Sequence, residues 1–107
     1  MSNKITEDSV DAFLARRPFR RENMEVIVKD NVSYLYLFGN RIGINTNGMV
    51  SISTCGWETR TTLMRLREIV RRVSPQSRLY IKKFILYFDD KEWNGNFKLI
   101  NNTNESN

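Results

Sequence analysis

Apolar and polar positions along this 107-residue chain change period several times. Near the N-terminus Val10, Phe13 and Leu14 recur at i, i+3 and i+4, the spacing of one helical face. Glu7, Asp8 and Asp11 lie towards the positive end of that helix dipole, with Thr6 or Asp8 as the expected N-cap. Pro18 ends the helix, because it pushes Arg17 out of the helical region. From Met24 the period shortens to that of strands. Met24 to Lys29 and Val32 to Phe38 are dense in β-branched and aromatic residues, with Asp30-Asn31 as the turn between them.

The following hairpin admits two registers. A two-residue loop, Asn47-Gly48, sets Ile44 opposite Ser51, a poor match. A three-residue loop, Thr46-Asn47-Gly48, pairs Ile44 with Val50 and Ile42 with Ile52, and this is the expected register, since a one-residue slip moves an apolar set to the wrong face. After Trp57 the helical period returns: Leu63, Leu66, Ile69, Val70 and Val73 share one face, Thr61 or Thr62 is the expected cap, and Ser74-Pro75 is the stop. Leu79 to Phe88 reads as one long strand. Tyr80, Lys82, Phe84, Leu86 and Phe88 then share one face; Leu79, Ile81, Lys83, Ile85 and Tyr87 share the other. Asp89-Asp90 is the next turn, Trp93 lies on the returning strand, and Phe97 to Ile100 extends it. Residues 101–107 are polar and are expected to form a disordered tail.

These elements predict a single α+β domain over residues 1–100, a small antiparallel sheet of about six short strands with two helices packed on one face. At 40% apolar and 11% aromatic residues the chain can build a modest core. No run of about 18 apolar residues is present, so no membrane partner is expected. The first residues lack the apolar segment of a secretory signal, and one cysteine allows no intrachain disulfide; a reducing cytoplasm is the expected setting.

Charge alters the picture more than composition does. The net charge is +5, and it is segregated. Residues 16–21 carry four arginines, and residues 60–83 carry eight basic groups against one acid, Glu68, whereas residues 31–59 hold only Arg41 and Glu58. Such segregation favours an acidic partner, nucleic acid or protein. The candidate contacts are Arg16, Arg17, Arg20, Arg21, Arg65, Arg67, Arg71, Arg72, Lys82 and Lys83. On the second helix Arg65, Arg67, Arg71 and Arg72 form a polar face, with Glu68 in its middle and able to pair with its neighbours at i±3 and i+4.

Catalytic chemistry is sparse by comparison. The chain has no histidine, which removes the usual general base, the Ser-His and Cys-His pairs and most zinc sites. Cys55 reads as a small hydrophobe at a strand end. Asp89, Asp90 and Glu92 read as a solvated turn rather than a magnesium site. Ser53, Thr54, Thr59, Thr61 and Thr62 lack the glycine and lysine spacing of a phosphate loop, and capping roles suit them. Neither a catalytic residue, nor a metal, nor a cofactor is expected.

Several of these residues also carry a resemblance. Leu37-Phe38-Gly39-Asn40-Arg41-Ile42, then Ser53-Thr54-Cys55-Gly56-Trp57, then Thr59, Thr61, Thr62, Arg65 and Leu66 resemble a group of small uncharacterised bacteriophage proteins. Phe19 to Asn23 with Glu25-Val26 resembles that group's opening strand, and Tyr87 through Trp93-Asn94-Gly95 its closing hairpin. Phe38 stands where the group has histidine, Arg67 where asparagine follows Arg-Leu, and Asp89-Asp90 where Asn-Gly is usual. The resemblance implies a phage protein made in the cytoplasm of an infected bacterium, and it brings no established activity. Physically, Gly39 and Gly56 suit tight turns, Trp57 a plug between sheet and helix with its indole N–H on a carbonyl, and Arg65 a brace for the loop. The function expected is non-enzymatic binding of a host macromolecule, a host protein first, with nucleic acid as the alternative.

Overall fold

The computed structural model describes residues 3–101. Helix α1 spans Lys4–Ala15 and is followed by five strands: β1 (Phe19–Arg21), β2 (Met24–Lys29), β3 (Val32–Leu37), β4 (Asn40–Thr46) and β5 (Met49–Ile52). Helix α2 (Arg60–Val73) comes next, then β6 (Leu79–Lys82), β7 (Ile85–Phe88), β8 (Lys91–Glu92) and β9 (Lys98–Leu99). A six-stranded antiparallel sheet runs β1-β2-β3-β4-β5-β9, and β6-β7-β8 form a second, three-stranded one. The α+β class holds, with two sheets in place of one.

Short-range signals place most elements. Asp30 and Asn31 both take positive φ (52° and 67°), as do Asp89 and Asp90 (53° and 66°), residue types that tolerate the left-handed region. Both caps lie earlier than expected. Asn3 caps α1 by accepting the Thr6 backbone N–H at 3.0 Å, which frees Thr6 to be buried. Thr59 caps α2 by accepting the Thr62 N–H, so Thr61 and Thr62 lie inside the first turn.

The β4–β5 hairpin takes the two-residue loop, correcting the expected register: Ile44 faces Ser51 and Asn45 faces Val50. The reason is a buried polar residue. Asn45 Nδ2 donates to the Phe13 and Leu14 carbonyls at 3.1 and 3.3 Å, and its Oδ1 accepts from Gly48 N–H. Ser33, opposite Asn45, donates to the Phe13 carbonyl at 2.6 Å. Together they add donors to the Phe13 carbonyl, which the Arg16 N–H also reaches, and one to the Leu14 carbonyl at the end of α1. A bulge between Leu35 and Tyr36 then turns both Ile42 and Gly43 inward. The Phe13 ring rests on Gly43, where any Cβ would fall 2.9 Å from Phe13 Cζ.

The expected long strand from Leu79 to Phe88 is a hairpin. Its turn is Lys83-Phe84, at φ 51° and 68°. Leu79 and Ile81 therefore pair with Phe88 and Leu86, and Tyr80 stacks on Tyr87 at 5.2 Å, so the expected division of faces is replaced. Phe97 to Ile100 leaves that hairpin, and β9 pairs with β5 instead. Asn101, assigned in the sequence to a disordered tail, is held by bonds to Val50 N–H and the Gly48 carbonyl; residues 102–107 lie outside the described residues.

The core lies between the large sheet and the two helices. Val10, Phe13, Leu35, Ile42, Ile52, Leu66 and Ile69 are its most enclosed members. Burial of this apolar surface at about 25 cal/mol per Å² is the main stabilising term.

Candidate functional site

Three chain segments meet at the N-terminal end of α2. The first is the β3–β4 turn, Phe38-Gly39, with both residues at positive φ (51° and 78°). Its Phe38 N–H donates to the Asn23 carbonyl at 2.8 Å, which ties it to the neighbouring β1–β2 turn. Glycine in the second slot meets the backbone demand; phenylalanine in the first points a ring, 71% exposed, away from the sheet. The second segment leaves β5 through Ser53 and Thr54 and turns at Cys55-Gly56 (φ 54° and 81°), closed by Trp57 N–H on the Thr54 carbonyl at 2.9 Å. The third is the Thr59-capped helix entry, where Thr59 and Thr62 hydroxyls also bond to each other at 3.0 Å.

The second segment is clamped from below by the chain after β8. Ser53 Oγ and Thr54 N–H both donate to the Gly95 carbonyl, at 2.8 and 2.9 Å, and Ser53 Oγ accepts from Cys55 N–H. Gly95 takes φ +83° directly against Thr54 Oγ1. Trp93 completes the clamp: it packs edge-on against Phe88 and donates its indole N–H to the Asn96 carbonyl.

Between these segments lies a groove of about 370 Å³, lined by Leu37, Ile42, Thr54, Thr61, Phe38 and Trp57 among others. Most of its lining is apolar, with threonine hydroxyls at the helix end. Asn40, Trp57, Thr59, Thr61 and Thr62, read separately in the sequence as fold-specifying, thus converge on one hollow, with Gly39 and Gly56 in the turns beside it. Trp57 does not plug the sheet–helix gap. It is 57% exposed, and its indole N–H has no hydrogen-bond partner among the described residues, because the Cys55-Gly56 turn swings the residue outward. Cys55 is likewise exposed rather than packed at a strand end.

The pairing expected of Glu68 is present, with Arg71 and Arg72, but Arg65 and Glu68 themselves are not on an open polar face. Arg65 is buried, 3% exposed, where α2 meets α1 and the β1–β2 turn. Its guanidinium donates to Thr6 Oγ1, to Asn23 Oδ1 at 3.2 Å and to Met24 Sδ at 3.2 Å. It therefore braces the turn through side chains, not loop carbonyls, and offers nothing to a phosphate. Burial lowers its pKa from the ordinary value, with the charge of Glu22 opposing. Leu66 beside it is core.

Glu68 is buried too. Arg71 and Arg72 both bond its carboxylate, at 2.6 and 2.7 Å, and Arg72 reaches on to Asp11 of α1. These bonds, Arg71's first, hold the Glu68 carboxyl at about 2 against the desolvation that raises it. Arg67 donates to the Leu79 carbonyl at 2.9 Å, Arg21 pairs with Asp8 at 2.9 Å and Arg78 with Asp90 at 3.2 Å. Among the described residues the side chains of Arg16, Arg17, Arg20, Lys82 and Lys83 make no ion pair. Arg16 itself ends α1 in the left-handed conformation, its N–H on the Ala12 and Phe13 carbonyls.

The groove was not legible as a site in the sequence. The one signal for it is Phe38-Gly39 between two apolar strands, a hairpin turn that must expose its first residue. Among the described residues no group of three or more acidic or cysteine side chains is placed to hold a metal, and no helix is long and apolar enough to cross a membrane. Asp89 and Asp90 are engaged by the Arg78 N–H, the Tyr80 hydroxyl and the Arg78 guanidinium.

Comparison with curated proteins and with solved structures finds no match for the chain. A family model described as Kyanoviridae Gp96 protein matches residues 2–104, nearly the whole length. The chain belongs to this family of bacteriophage proteins.

Proposed function

We propose that this is a non-enzymatic phage accessory protein that binds a host protein in the cytoplasm of the infected cell, with the groove between Phe38 and Trp57 as its contact surface. One observation carries the reading: two large aromatic side chains, 71% and 57% exposed, flank an apolar groove on a rigid frame of turns. Exposed aromatics beside a concave apolar surface are the usual anchors of protein interfaces. The frame keeps the ordering cost of binding small, since the turn backbones are already fixed by Asn23, Gly95 and the α2 cap. Absence of histidine leaves the site without the common acid–base group.

Nucleic acid is the weaker reading. Of the ten basic side chains that suggested it, Arg65 is enclosed and Arg21, Arg67, Arg71 and Arg72 are engaged by internal acceptors. Phosphate contact at these positions requires breaking existing bonds.

Affinity capture from bacterial lysate tests both. The native chain is expected to retain a stoichiometric host protein, and Trp57→Ala with Phe38→Ser to lose it. Retention that ignores both substitutions, or that disappears with moderate salt or nuclease treatment, overturns the proposal.

A further inference from the structure

Both helices pack on one face of the six-stranded sheet, and the strand registers define what the other face carries. Its middle row runs Ile27, Tyr34, Ile44, Ser51 and Leu99, each paired across to the next. Ile27 and Leu99, at the two ends, are exposed, and the residues between them are half-buried. The row towards the β2–β3 turn begins with Lys29 and adds apolar surface at Val32 and Met49. The row on the other side is Arg20, Glu25, Tyr36 and Arg41. Arg41 lies over the Tyr34 ring at 4.3 Å and bonds the Tyr36 hydroxyl at 2.7 Å. An uncovered apolar row of this extent is unusual on a protein that stays alone.

The charges on this face follow a two-fold pattern. Glu25 and Lys29 stand on one strand, equally spaced to either side of Ile27, so a half-turn about the middle row exchanges their places. A second copy turned in this way sets middle row on middle row, with the strands in the same order. Glu25 then meets Lys29 of the second copy, and Lys29 meets its Glu25. The other two cations on the face meet no like charge. Arg41 comes to lie against Thr46 and Val32, and Arg20 stays on the edge strand beside Glu25 of its own chain. Arg16, Arg17, Glu22 and Asp30 lie beyond the rows, in the connections that flank them, where sheet twist carries two packed faces apart. Nucleic acid suits the face less well, since Glu25 interrupts the cations and the middle row is largely aliphatic.

We infer that two copies of this chain pack through this sheet face, about a two-fold axis along the row from Ile27 to Leu99. Strands ~4.8 Å apart, with a rise of ~3.4 Å per residue, make the rows across β2, β3, β4, β5 and β9 roughly 24 by 20 Å. Two such faces bury about 1,000 Å² together, the lower limit for a specific interface. The same patch serves both copies, so the contact closes at a dimer. The groove beside Phe38 and Trp57 opens at the N-terminal end of α2, on the helix side of the sheet, and stays open in the pair. The inference therefore does not depend on what the groove binds.

Sedimentation velocity on the full chain across a concentration series reads the pair directly, with urea unfolding to check that each variant is folded. The native chain is expected to sediment as a dimer that dissociates on dilution. Glu25→Lys and Lys29→Glu each set like charges opposite one another twice in the pair, and each is expected to weaken association at least ~10-fold. Both substitutions in one chain restore the two pairs, and association is expected to return towards the native value. Mixing the two single variants restores the pairs between unlike copies, so the mixture is expected to associate more tightly than either variant alone. Ile27→Ser, on the axis, is expected to weaken association without any change of charge. A native chain that stays monomeric at the highest concentration overturns the inference. So does a dimer indifferent to both single charge variants, or a loss that neither the double variant nor the mixture recovers. A monomer that binds single-stranded nucleic acid through Tyr34 and Arg41 also overturns it, and assigns the face to that ligand instead.

Discussion

Gly95 and Thr54 are in contact so close that a Cβ added at position 95 would lie 2.3 Å from Thr54 Oγ1. Gly95 also holds φ +83°, so two independent constraints, conformational and steric, exclude a side chain there. Thr54 Oγ1 is buried without a hydrogen-bond partner in the described residues. Gly95→Ala is expected to destabilise the fold by about 3 kcal/mol, from roughly 1–2 kcal/mol of backbone strain and the remainder from overpacking. Adding Thr54→Ala removes the hydroxyl but leaves the strain. The double variant should then recover about 1 kcal/mol or more relative to additivity, read from urea unfolding of the four proteins. Additive effects would mean that the backbone alone explains the glycine.

Glu68 makes stability depend on acid. Its folded pKa is depressed from 4.5 to about 2, first by the Arg71 hydrogen bond and then by Arg72. A depressed carboxylate contributes stability that is complete above the unfolded value and is lost as pH falls through the folded one. Glu68 is buried, so little of this is screened by solvent, although Arg71 lies largely in water. The expected loss is about 2–3 kcal/mol between pH 5 and 2. Glu68→Gln should lower stability at pH 7 by a similar amount and flatten the acid limb of the profile. An unchanged limb in that variant would place the acid sensitivity elsewhere.

Local chemistry in the sequence was sufficient for α1, α2, the Asp30-Asn31 and Asp89-Asp90 turns and the end of α2 at Ser74-Pro75, because each is decided by neighbours along the chain. What the sequence left hidden depends on partners far away. Asn45 looks like a mismatch until the Phe13 and Leu14 carbonyls, more than thirty residues earlier, are seen to need its amide. Arg65 and Glu68 look exposed from helical periodicity, which assumes one buried face; α2 is covered by the sheet on one side and by α1 on another. The Lys83-Phe84 turn was hidden for a different reason. Its alternating residues suit a continuous strand, and nothing in their types announces a reversal.

Arg65 separates a structural cation from a binding one. Its bonds to Thr6, Asn23 and Met24 need a planar fork that an ammonium group cannot reproduce. Arg65→Lys is expected to lose about 2 kcal/mol of stability, from the vacated partners and the harder desolvation of the compact charge. Affinity for a polyanion at low salt should be unaltered by that substitution. A loss of polyanion binding without loss of stability would return Arg65 to the surface in solution.

The strained Lys83-Phe84 turn gives the opposite sign. Asn and Gly at these positions suit the geometry that the backbone already adopts, with φ 51° and 68°. Neither side chain contributes to the core; Phe84 is almost wholly exposed, and Lys83 is exposed beside it. Lys83→Asn with Phe84→Gly is therefore expected to stabilise the folded chain by about 1 kcal/mol, offset in part by the greater unfolded-state freedom of glycine. For a domain of this size that corresponds to a rise in Tm of roughly 4–8 °C. The measurement is thermal unfolding of the native chain and the double variant at one matched, low concentration. A fall in Tm would show that the phenylalanine ring supports the hairpin, and that the strain is compensated within the fold rather than kept for a contact outside it.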